Sequence, residues 1–476
     1  MRTKWFSLIA VLMVASLVLT ACPAPTAAPP AVEKATEAPT VAKGPEEVTI
    51  VAWTIGPDDP SFYRAKNLEA AAERLNKKLE AEGANVRVKV EATFDTTSWG
   101  DYKKRVLLAF EGKKAPDIVL SGHEDIAPWA DAGYILSLDD YIAKYPDTYN
   151  DIFETLWGAV TFRGKRWAIP QDTEARPMYF NKTRLKELGW SDEEVDALPE
   201  KIKNGEFTLY DMLEVAKEAQ DKGVVQPGYG YWHRPKKGSD FYHFYYNCGG
   251  TLQDPESGKL VLDKKAAQCV YQFFWDATQE YKVTKTDLIG TEWKIIHETV
   301  AGGKALFFNG GTWNWAEWRD KYLPGEADPE AYLWENIGFA LIPAMKKGGK
   351  PNTLSHPLVY MVTAQSKHPD LAFRIITEAT APDLNALHAV QSGHLAILKS
   401  ELQDPKYAED KFAQAAAYML EYTTFLPNNP DFGTLDEIYF GGISAVESGQ
   451  WTPEEAVENV VADVQVELGD KVIIKE

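Results

Sequence analysis

The sequence predicts an α/β protein with two lobes joined by extended segments that cross between them. The chain has 476 residues, which is more than one hydrophobic core usually supports. Its amino-terminal part alternates β-branched runs with segments of helical period. Residues 164–182 and 336–343 are extended, apolar and interrupted or ended by proline, which disfavours helix in the residue before it. We expect both stretches to pass from one lobe to the other.

The amino terminus indicates export. Residues 1–21 hold a short basic start and an apolar run of signal-peptide length, and we assign them as a signal peptide. The residues before Cys22 resemble the lipobox of bacterial lipoproteins, in which the cysteine carries the lipid. Residues 22–46 are mostly Pro, Ala, Thr, Glu and Val, a composition that cannot fold and is typical of a tether. The alternative is a soluble secreted protein with an incidental cysteine.

Composition argues against several classes of protein. The formal net charge of −20 disfavours binding to nucleic acid and to anionic lipid headgroups. No phosphate-cradling glycine motif occurs, and His297-Glu298 lacks the second histidine of a metallohydrolase motif. We therefore expect no cofactor and no metal ion. Cys248 and Cys269 are predicted to form a disulfide in an oxidising exterior, with two buried thiols as the alternative.

Three predicted strands, at residues 48–53, 86–90 and 118–120, are separated by helices, an order that favours a parallel sheet. Ligands of such sheets bind beyond the carboxyl ends of the strands. The candidates at these ends are Trp53, Asp95, His123, Glu124 and Asp125. Asp95 and Asp125 have an alternative role as helix caps, and His123 has an alternative structural role.

Further candidates follow from the two crossing stretches and the strand ends of the second lobe. Residues 164–182 have a polar middle, which we expect to face a cleft; a surface loop is the alternative. A predicted strand at 228–233 ends in a histidine. A strand at 306–308 precedes two glycines, which allow close backbone approach, and two tryptophans, which either stack on a ligand or cover the core. Residues 191–205 are interpreted as an acidic loop, and the chain from Pro382 onward as helical. The candidates from these regions are Asp172, Glu174, Arg176, His233, Trp313 and Trp315.

Several motifs, in order, resemble those of the extracellular solute-binding proteins of carbohydrate ABC importers, family 1, the maltose-binding-protein-like group. They are the lipobox, the tether, APDIVLSGHEDIAPWADAGYI (115–135), the stretch 164–182, GGKALFFNGGTWNW (302–315) and VTAQSKHPDLAFRII (362–376). The resemblance implies a type II periplasmic-binding-protein fold with a helical carboxyl-terminal part and hinge closure on the ligand. The lobes are then expected at 47–171 plus 341–375 and at 172–340 plus 376–476.

The resemblance also implies roles for particular residues. It places sugar binding on Glu174, contacts with sugar hydroxyls on Glu124 and Asp125, and ring stacking on Trp313. Glu437 falls near a position where relatives carry a stacking aromatic residue. Arg176 departs from the pattern, which usually has an apolar residue there; it either clamps an acidic substituent of the ligand or pairs with Asp172.

The function that the resemblance implies is capture of a sugar or polyol and its delivery to a membrane ABC permease. The protein would be a monomer, outside the cytoplasm and anchored to the bacterial membrane by its amino-terminal lipid. Carboxylates bind the hydroxyl edges of sugars and aromatic rings cover their C–H faces, as this residue set requires. The alternatives are a secreted carbohydrate-active hydrolase that uses Glu174 with Glu124 or Asp125, and a binding lipoprotein used in sensing.

Overall fold

The structure is a computed structural model that describes residues 44–56 and 59–476. The predicted signal peptide, Cys22 and most of the tether lie outside the described residues. The first strand begins at Glu46, the last residue assigned to the tether. Residues Pro45–Glu476 form one compact unit.

Two mixed sheets organise this unit. The strands are β1 (Glu46–Ile55), β2 (Val86–Asp95), β3 (Ile118–Gly122), β4 (Thr161–Phe162), β5 (Lys165–Arg166), β6 (Ile169–Pro170), β7 (Met178–Asn181), β8 (Tyr231–Trp232), β9 (Leu260–Asp263), β10 (Phe307–Asn309), β11 (Ile337–Ala340), β12 (Thr353–Leu354), β13 (Leu358–Val362), β14 (Thr423–Thr424) and β15 (Val472–Lys475). The first sheet has the order β2-β1-β3-β13-β6 and the second the order β11-β7-β10-β8.

The first sheet confirms the predicted parallel arrangement of its amino-terminal strands. Strand β1 pairs in parallel with β2 along its whole length and with β3 through Ala52 and Trp53. Strand β13 then adds antiparallel to β3, and β6 antiparallel to β13. The β-branched and apolar residues of these strands are buried because helices cover the sheet.

The crossing predicted for residues 164–182 is present. Strand β6 lies at the edge of the first sheet, whereas β7 lies between β10 and β11 in the second sheet. The chain therefore leaves one sheet at Pro170 and enters the other at Met178. The second predicted crossing begins at β11, and the chain returns to the first sheet at β13.

Helices fill the connections. They are α1 (Tyr63–Ala81), α2 (Trp99–Glu111), α3 (Ile126–Asp131), α4 (Asp139–Ile142), α5 (Pro146–Tyr149), α6 (Glu154–Val160), α7 (Lys182–Leu188), α8 (Asp192–Asp196), α9 (Leu198–Lys203), α10 (Leu209–Asp221), α11 (Tyr242–Asn247), α12 (Lys264–Trp275), α13 (Trp293–Ala301), α14 (Trp313–Glu317), α15 (Pro329–Asn336), α16 (Pro369–Ala379), α17 (Pro382–Ser392), α18 (Pro405–Glu409), α19 (Lys411–Ala416), α20 (Phe432–Glu447) and α21 (Pro453–Leu468). The carboxyl-terminal part is mainly helical, as expected, with β14 and β15 as short additions.

The interpretation of residues 191–205 as a loop was wrong. Ser191 accepts a hydrogen bond from the Glu194 amide and completes a capping box, so helix α8 begins directly after it. Val195, Leu198 and Ile202 recur at helical spacing and are buried. The acidic exposed face of this segment hid the apolar stripe.

Each sheet has its own hydrophobic core. The first core takes residues from β1, β3, β13 and the helices packed on them, and the second takes residues from β7, β10, β11 and the helices around them. Two cores agree with two lobes, while the lobe boundaries themselves remain predictions. Within the described part of the chain, no helix combines the length and apolar character needed to cross a membrane.

Asp172, the second residue after β6, is fixed by a buried network. Arg64 of α1 donates to its Oδ2 from Nη2 at 2.8 Å and from Nε at 3.1 Å, and the side chains of both residues are at most 3% exposed. The Leu358 amide donates to Oδ1 at 3.0 Å, and His388 Nε2 lies 3.2 Å from Oδ2. Burial alone would raise the pKa of Asp172, but the charge of Arg64 outweighs it and holds the pKa well below its usual range.

Removing Arg64 should destabilise the protein strongly, because Asp172 would remain buried without its cation. We expect Arg64→Ala to lower the free energy of unfolding by about 3–5 kcal/mol. Arg74→Ala is the matched control: Arg74 lies on the same helix but pairs with Asp383 at the surface, where a loss below about 1 kcal/mol is expected. Denaturant unfolding measures both, and equal losses would contradict the argument.

The same pair predicts a dependence on pH. An aspartate with a lowered pKa in the folded state contributes stability above its unfolded pKa of about 3.9, and this contribution is lost as the pH falls. The difference in unfolding free energy between the wild type and Asp172→Asn should therefore shrink between about pH 5 and pH 2. A difference that stays constant over this range would show that the carboxylate charge is unimportant.

Cys248 and Cys269 form a disulfide that links the end of α11 to α12, with a sequence separation of 21 residues. Closing a loop of this size contributes roughly 3 kcal/mol in the chain-entropy account. We expect Cys248→Ala/Cys269→Ala, and reduction of the wild type, to lower the free energy of unfolding by this amount. If reduction left denaturant unfolding of the wild type unchanged, the bond would be absent in solution.

Candidate functional site

Charged and aromatic side chains from segments around both sheets meet beside the two crossings. We call this set the central cluster: Lys103, Glu124, Asp125, Glu174, Arg176, Asp240, Trp313 and His356. Strand β3 ends just before the two acids at 124 and 125, the first crossing carries Glu174 and Arg176, and the second carries His356. The cluster therefore joins sequence-distant segments at the place where the chain passes between sheets.

Glu174 and Arg176 form a buried ion pair, with side chains 3% and 5% exposed. Arg176 Nη1 donates to Glu174 Oε1 at 2.6 Å, and the His356 amide donates to the same oxygen at 2.7 Å. Within the described residues Glu174 Oε2 has no hydrogen-bond partner, although it is buried. Burial raises the pKa of Glu174 more than Arg176 lowers it.

Arg176 is surrounded by further acceptors. Its Nε lies 3.2 Å from Asp240 Oδ2, and Nη1 also donates to the Leu354 carbonyl at 3.2 Å. Burial would lower the pKa of Arg176, but Asp240 and Glu174 raise it, so the guanidinium is charged and compensated twice. Asp240 in turn binds Arg234. The expected alternative, a pair with Asp172, is not formed, because Arg64 occupies that carboxylate.

Trp313 lies half-buried against Arg176 at the amino terminus of α14. The guanidinium carbon is 5.1 Å from the centre of the indole ring, and the His394 ring stacks at 6.3 Å. Gly311 makes this position possible, since a Cβ there would lie 1.9 Å from the indole. Gly393 has φ +68° and brings its backbone against Thr312, where a side chain would not fit. These two glycines thus let the indole ring and the neighbouring backbone pack closely.

Glu124 and Asp125 share Lys103 of α2. The ammonium lies 2.6 Å from Glu124 Oε1 and 2.9 Å from Asp125 Oδ2, while Ser121 donates to Asp125 at 2.5 Å. Burial would raise the pKa of Glu124, but His356 and Lys103 hold it well below its usual range. For Asp125 burial dominates and raises the pKa despite Lys103. Neither acid caps a helix through its side chain.

His356 links the two groups of acids and was missed by the sequence reasoning. Its Nε2 lies 2.5 Å from Glu124 Oε2, and its amide binds Glu174. A histidine followed by proline just before β13, within the second crossing, was the available signal. His123 is fully buried beside it, with Nε2 3.2 Å from the Leu426 carbonyl, and burial lowers the pKa of His123 to about 3.

Trp53 and Asp95 lie at a neighbouring position of the same sheet edge. Arg105 of α2 stacks on the Trp53 ring at 4.7 Å and pairs with Asp95 at 2.7 Å. Asp95 also accepts hydrogen bonds from Thr97, whereas Ser98 caps α2. The structure therefore brings these two candidates together, but it gives no contact between them and the central cluster.

The remaining candidates lie elsewhere. His233 is buried in the second core, with Nε2 2.9 Å from Glu447 Oε2. Trp315 is buried against Phe412 at 4.8 Å, and its indole donates to Glu330. Glu437 is 70% exposed and pairs with Lys237 at 2.6 Å. Among the described residues, no hydrogen bond, ion pair or ring contact joins these three side chains directly to the central cluster.

Comparison with known proteins identifies the family. The sequence profile of the bacterial extracellular solute-binding proteins matches residues 64–386. A maltotriose-binding protein of Pyrococcus abyssi is 21% identical over 374 residues, which are 77% of this chain and 73% of that protein.

Two solved structures show the same fold. Maltose-bound MalE3 of T. maritima aligns with a TM-score of 0.70 at 19% identity, over 88% of this chain and 100% of that one. An ABC transporter solute-binding protein of Thermotoga lettingae, bound with α-D-tagatose, aligns with a TM-score of 0.69 at 18% identity, over 88% and 99% of the two chains. The expected periplasmic-binding-protein fold, with two mixed sheets, is confirmed. Because the profile covers more than half of its length, the chain belongs to the bacterial extracellular solute-binding proteins, a family of binding proteins and not of enzymes.

Proposed function

We propose that this protein captures a sugar or sugar-like polyol at the central cluster, between the two lobes, and delivers it to a membrane ABC permease. The observation that carries the proposal is Glu174: its Oε2 is buried, has no partner within the described residues and belongs to a side chain held rigidly by Arg176 and His356. Sugar hydroxyls are the donors that such an acceptor requires. The half-buried Trp313 supplies a ring for the C–H face.

The charge balance favours a neutral ligand over an acidic one. Arg176 faces both Glu174 and Asp240, and Lys103 faces both Glu124 and Asp125, so each cation is already shared by two carboxylates. An acidic substituent would meet this excess of negative charge, and neither Arg176 nor Lys103 is free to clamp it. The relatives named above bind neutral sugars, which supports the same choice.

The hydrolase alternative is not favoured. A glycosidase needs one carboxylate as an acid and a second as a base or nucleophile on opposite sides of the scissile bond. Here Glu124 is already paired with Lys103 and His356, and Glu174 is paired with Arg176. Both carboxylates are therefore engaged within the protein, which does not favour these catalytic roles. The family membership supports binding as well.

Anchoring at the membrane is part of the proposal and rests on sequence. Residues 19–22 resemble a lipobox, and Cys22 would carry the lipid on the tether that leads to β1. The family description places such proteins outside the cell, which agrees with an exported and tethered chain.

Trp313→Ala should weaken binding of the preferred ligand by about two- to tenfold, because aromatic packing contributes roughly 0.5–1.5 kcal/mol and 1.4 kcal/mol corresponds to a factor of ten. The ligand is first found by a thermal-shift panel of neutral mono- and oligosaccharides, polyols and matched sugar acids, since binding raises the melting temperature. Calorimetry then compares the wild type with the variant. Trp190→Ala, which removes another half-buried tryptophan of the second core, is the control.

Three results would contradict the proposal or a part of it. A panel in which no sugar or polyol raises the melting temperature would remove the function itself. Unchanged affinity in Trp313→Ala would remove the stacking role. A sugar acid that binds more tightly than its neutral parent would overturn the charge argument alone.

A further inference from the structure

Two members of the central cluster, Glu124 and His356, lie with the neighbouring His123 so that atoms able to bind a metal ion come close together. His123, Glu124 and His356 each offer one donor atom, and these atoms all lie within 4.8 Å of one another. Glu124 Oε2 is 2.5 Å from His356 Nε2 and 4.0 Å from His123 Nδ1. The two imidazole rings cross with centroids 5.2 Å apart. Two histidines and one carboxylate are a recognised donor set for a zinc ion that keeps an open coordination position.

His123 is oriented for this role. Its Nε2 faces the Leu426 carbonyl at 3.2 Å, an acceptor, so Nε2 carries the hydrogen and Nδ1 carries the lone pair. The side chain is fully buried, and Nδ1 has no hydrogen-bond partner within the described residues. A buried lone pair without a donor is costly. A backbone carbonyl that holds the second ring nitrogen is the usual outer partner of a ligating histidine.

Glu124 has one oxygen for each kind of partner. Oε1 is held by Lys103 at 2.6 Å, and Oε2 points to the two histidines. Ligating carboxylates are commonly hydrogen-bonded through their other oxygen, so Lys103 is an outer partner of the site. Asp125 also faces Lys103 and offsets its charge. Two carboxylates against one ammonium leave the site attractive to a cation.

A second cluster of the same kind shows what excludes a metal. Asp172, His388 and His394 also present donor atoms within 4.8 Å of one another. The Arg64 guanidinium lies among them, 2.8 Å from Asp172 Oδ2 and 3.1 Å from His394 Nε2. A cation therefore already binds the donor oxygen itself, Asp172 Oδ2, whereas Lys103 binds the other oxygen of Glu124. At Glu124 Oε2, in contrast, the described neighbours are the histidines.

We propose that His123, Glu124 and His356 bind one divalent transition-metal ion of the zinc class, with a fourth position left for water or a ligand hydroxyl. Bonds of about 2.0–2.1 Å to such an ion need donor separations near 3.4 Å, so His123 and Glu124 approach slightly and His356 withdraws. The hydrogen between His356 Nε2 and Glu124 Oε2 is then displaced, either to Nδ1 of the ring or as a proton to solvent. Calcium is a poor fit, because it selects six to eight oxygen ligands. The ion would tie the turn after β3 to the second crossing. This inference goes beyond the proposed function and does not rest on it.

The test is zinc binding by the mature protein after treatment with a chelator. Equilibrium dialysis against zinc chloride should give one equivalent bound, dialysis against calcium chloride none, and cobalt should give the absorption of a tetrahedral site. His356→Ala should weaken zinc binding by at least about 100-fold, beyond the roughly 10–100-fold typical of losing an outer partner. His368→Ala, which removes the histidine before α16, is the control and should bind zinc like the wild type.

The outcomes separate cleanly. Failure of the wild type to bind zinc in molar excess overturns the proposal, and so does undiminished binding by His356→Ala. Thermal unfolding of the metal-free variants checks that they are folded; if His356→Ala is not, the isosteric Glu124→Gln takes its place. Sugar binding measured with and without zinc keeps the result independent of the proposed function.

Discussion

The buried ion pair between Arg64 and Asp172 is the interaction on which the arrangement of the two crossings depends. Arg64, in the first turn of α1, binds one oxygen of Asp172, and the Leu358 amide binds the other. Asp172 belongs to the first crossing, and Leu358 lies at the end of the second. One carboxylate therefore holds the two crossing segments side by side. Glu174, two residues after Asp172, then meets His356, two residues before Leu358. The central cluster follows from this alignment.

Burial of so many charges is possible because each has a partner of opposite sign. Arg176 lies between Glu174 and Asp240, and Lys103 lies between Glu124 and Asp125. Desolvation raises the pKa of the carboxyl groups and the cations lower it, and the balance differs from one acid to the next. Among the described residues of this region, Glu174 Oε2 and His123 Nδ1 are buried acceptor atoms without a hydrogen-bond partner. These atoms define what the site can receive: donors of hydrogen bonds, or a cation.

Much of the fold could be predicted from local patterns. The alternating and helical-period segments of residues 48–120 predicted the parallel part of the first sheet. The apolar runs on both sides of Pro170 predicted the first crossing. The helices α8 and α9 were missed because acidic exposed positions outnumber their buried ones. Among the site candidates, Glu174, Arg176 and Trp313 are in contact or linked through one guanidinium, whereas Trp315 and His233 lie in the core.

The sequence by itself determined the exported character of the chain, the alternation of strands and helices, and the polar middle of the first crossing. All of these are local properties, since a side-chain period or a proline acts on its own neighbours. Only the tertiary structure decided which charges pair. Arg176 turns to Asp240 and away from Asp172, and His356 reaches Glu124 across 232 positions of sequence. Such contacts depend on where the two crossings are held together in space. The spacing of residues along the sequence does not predict that position.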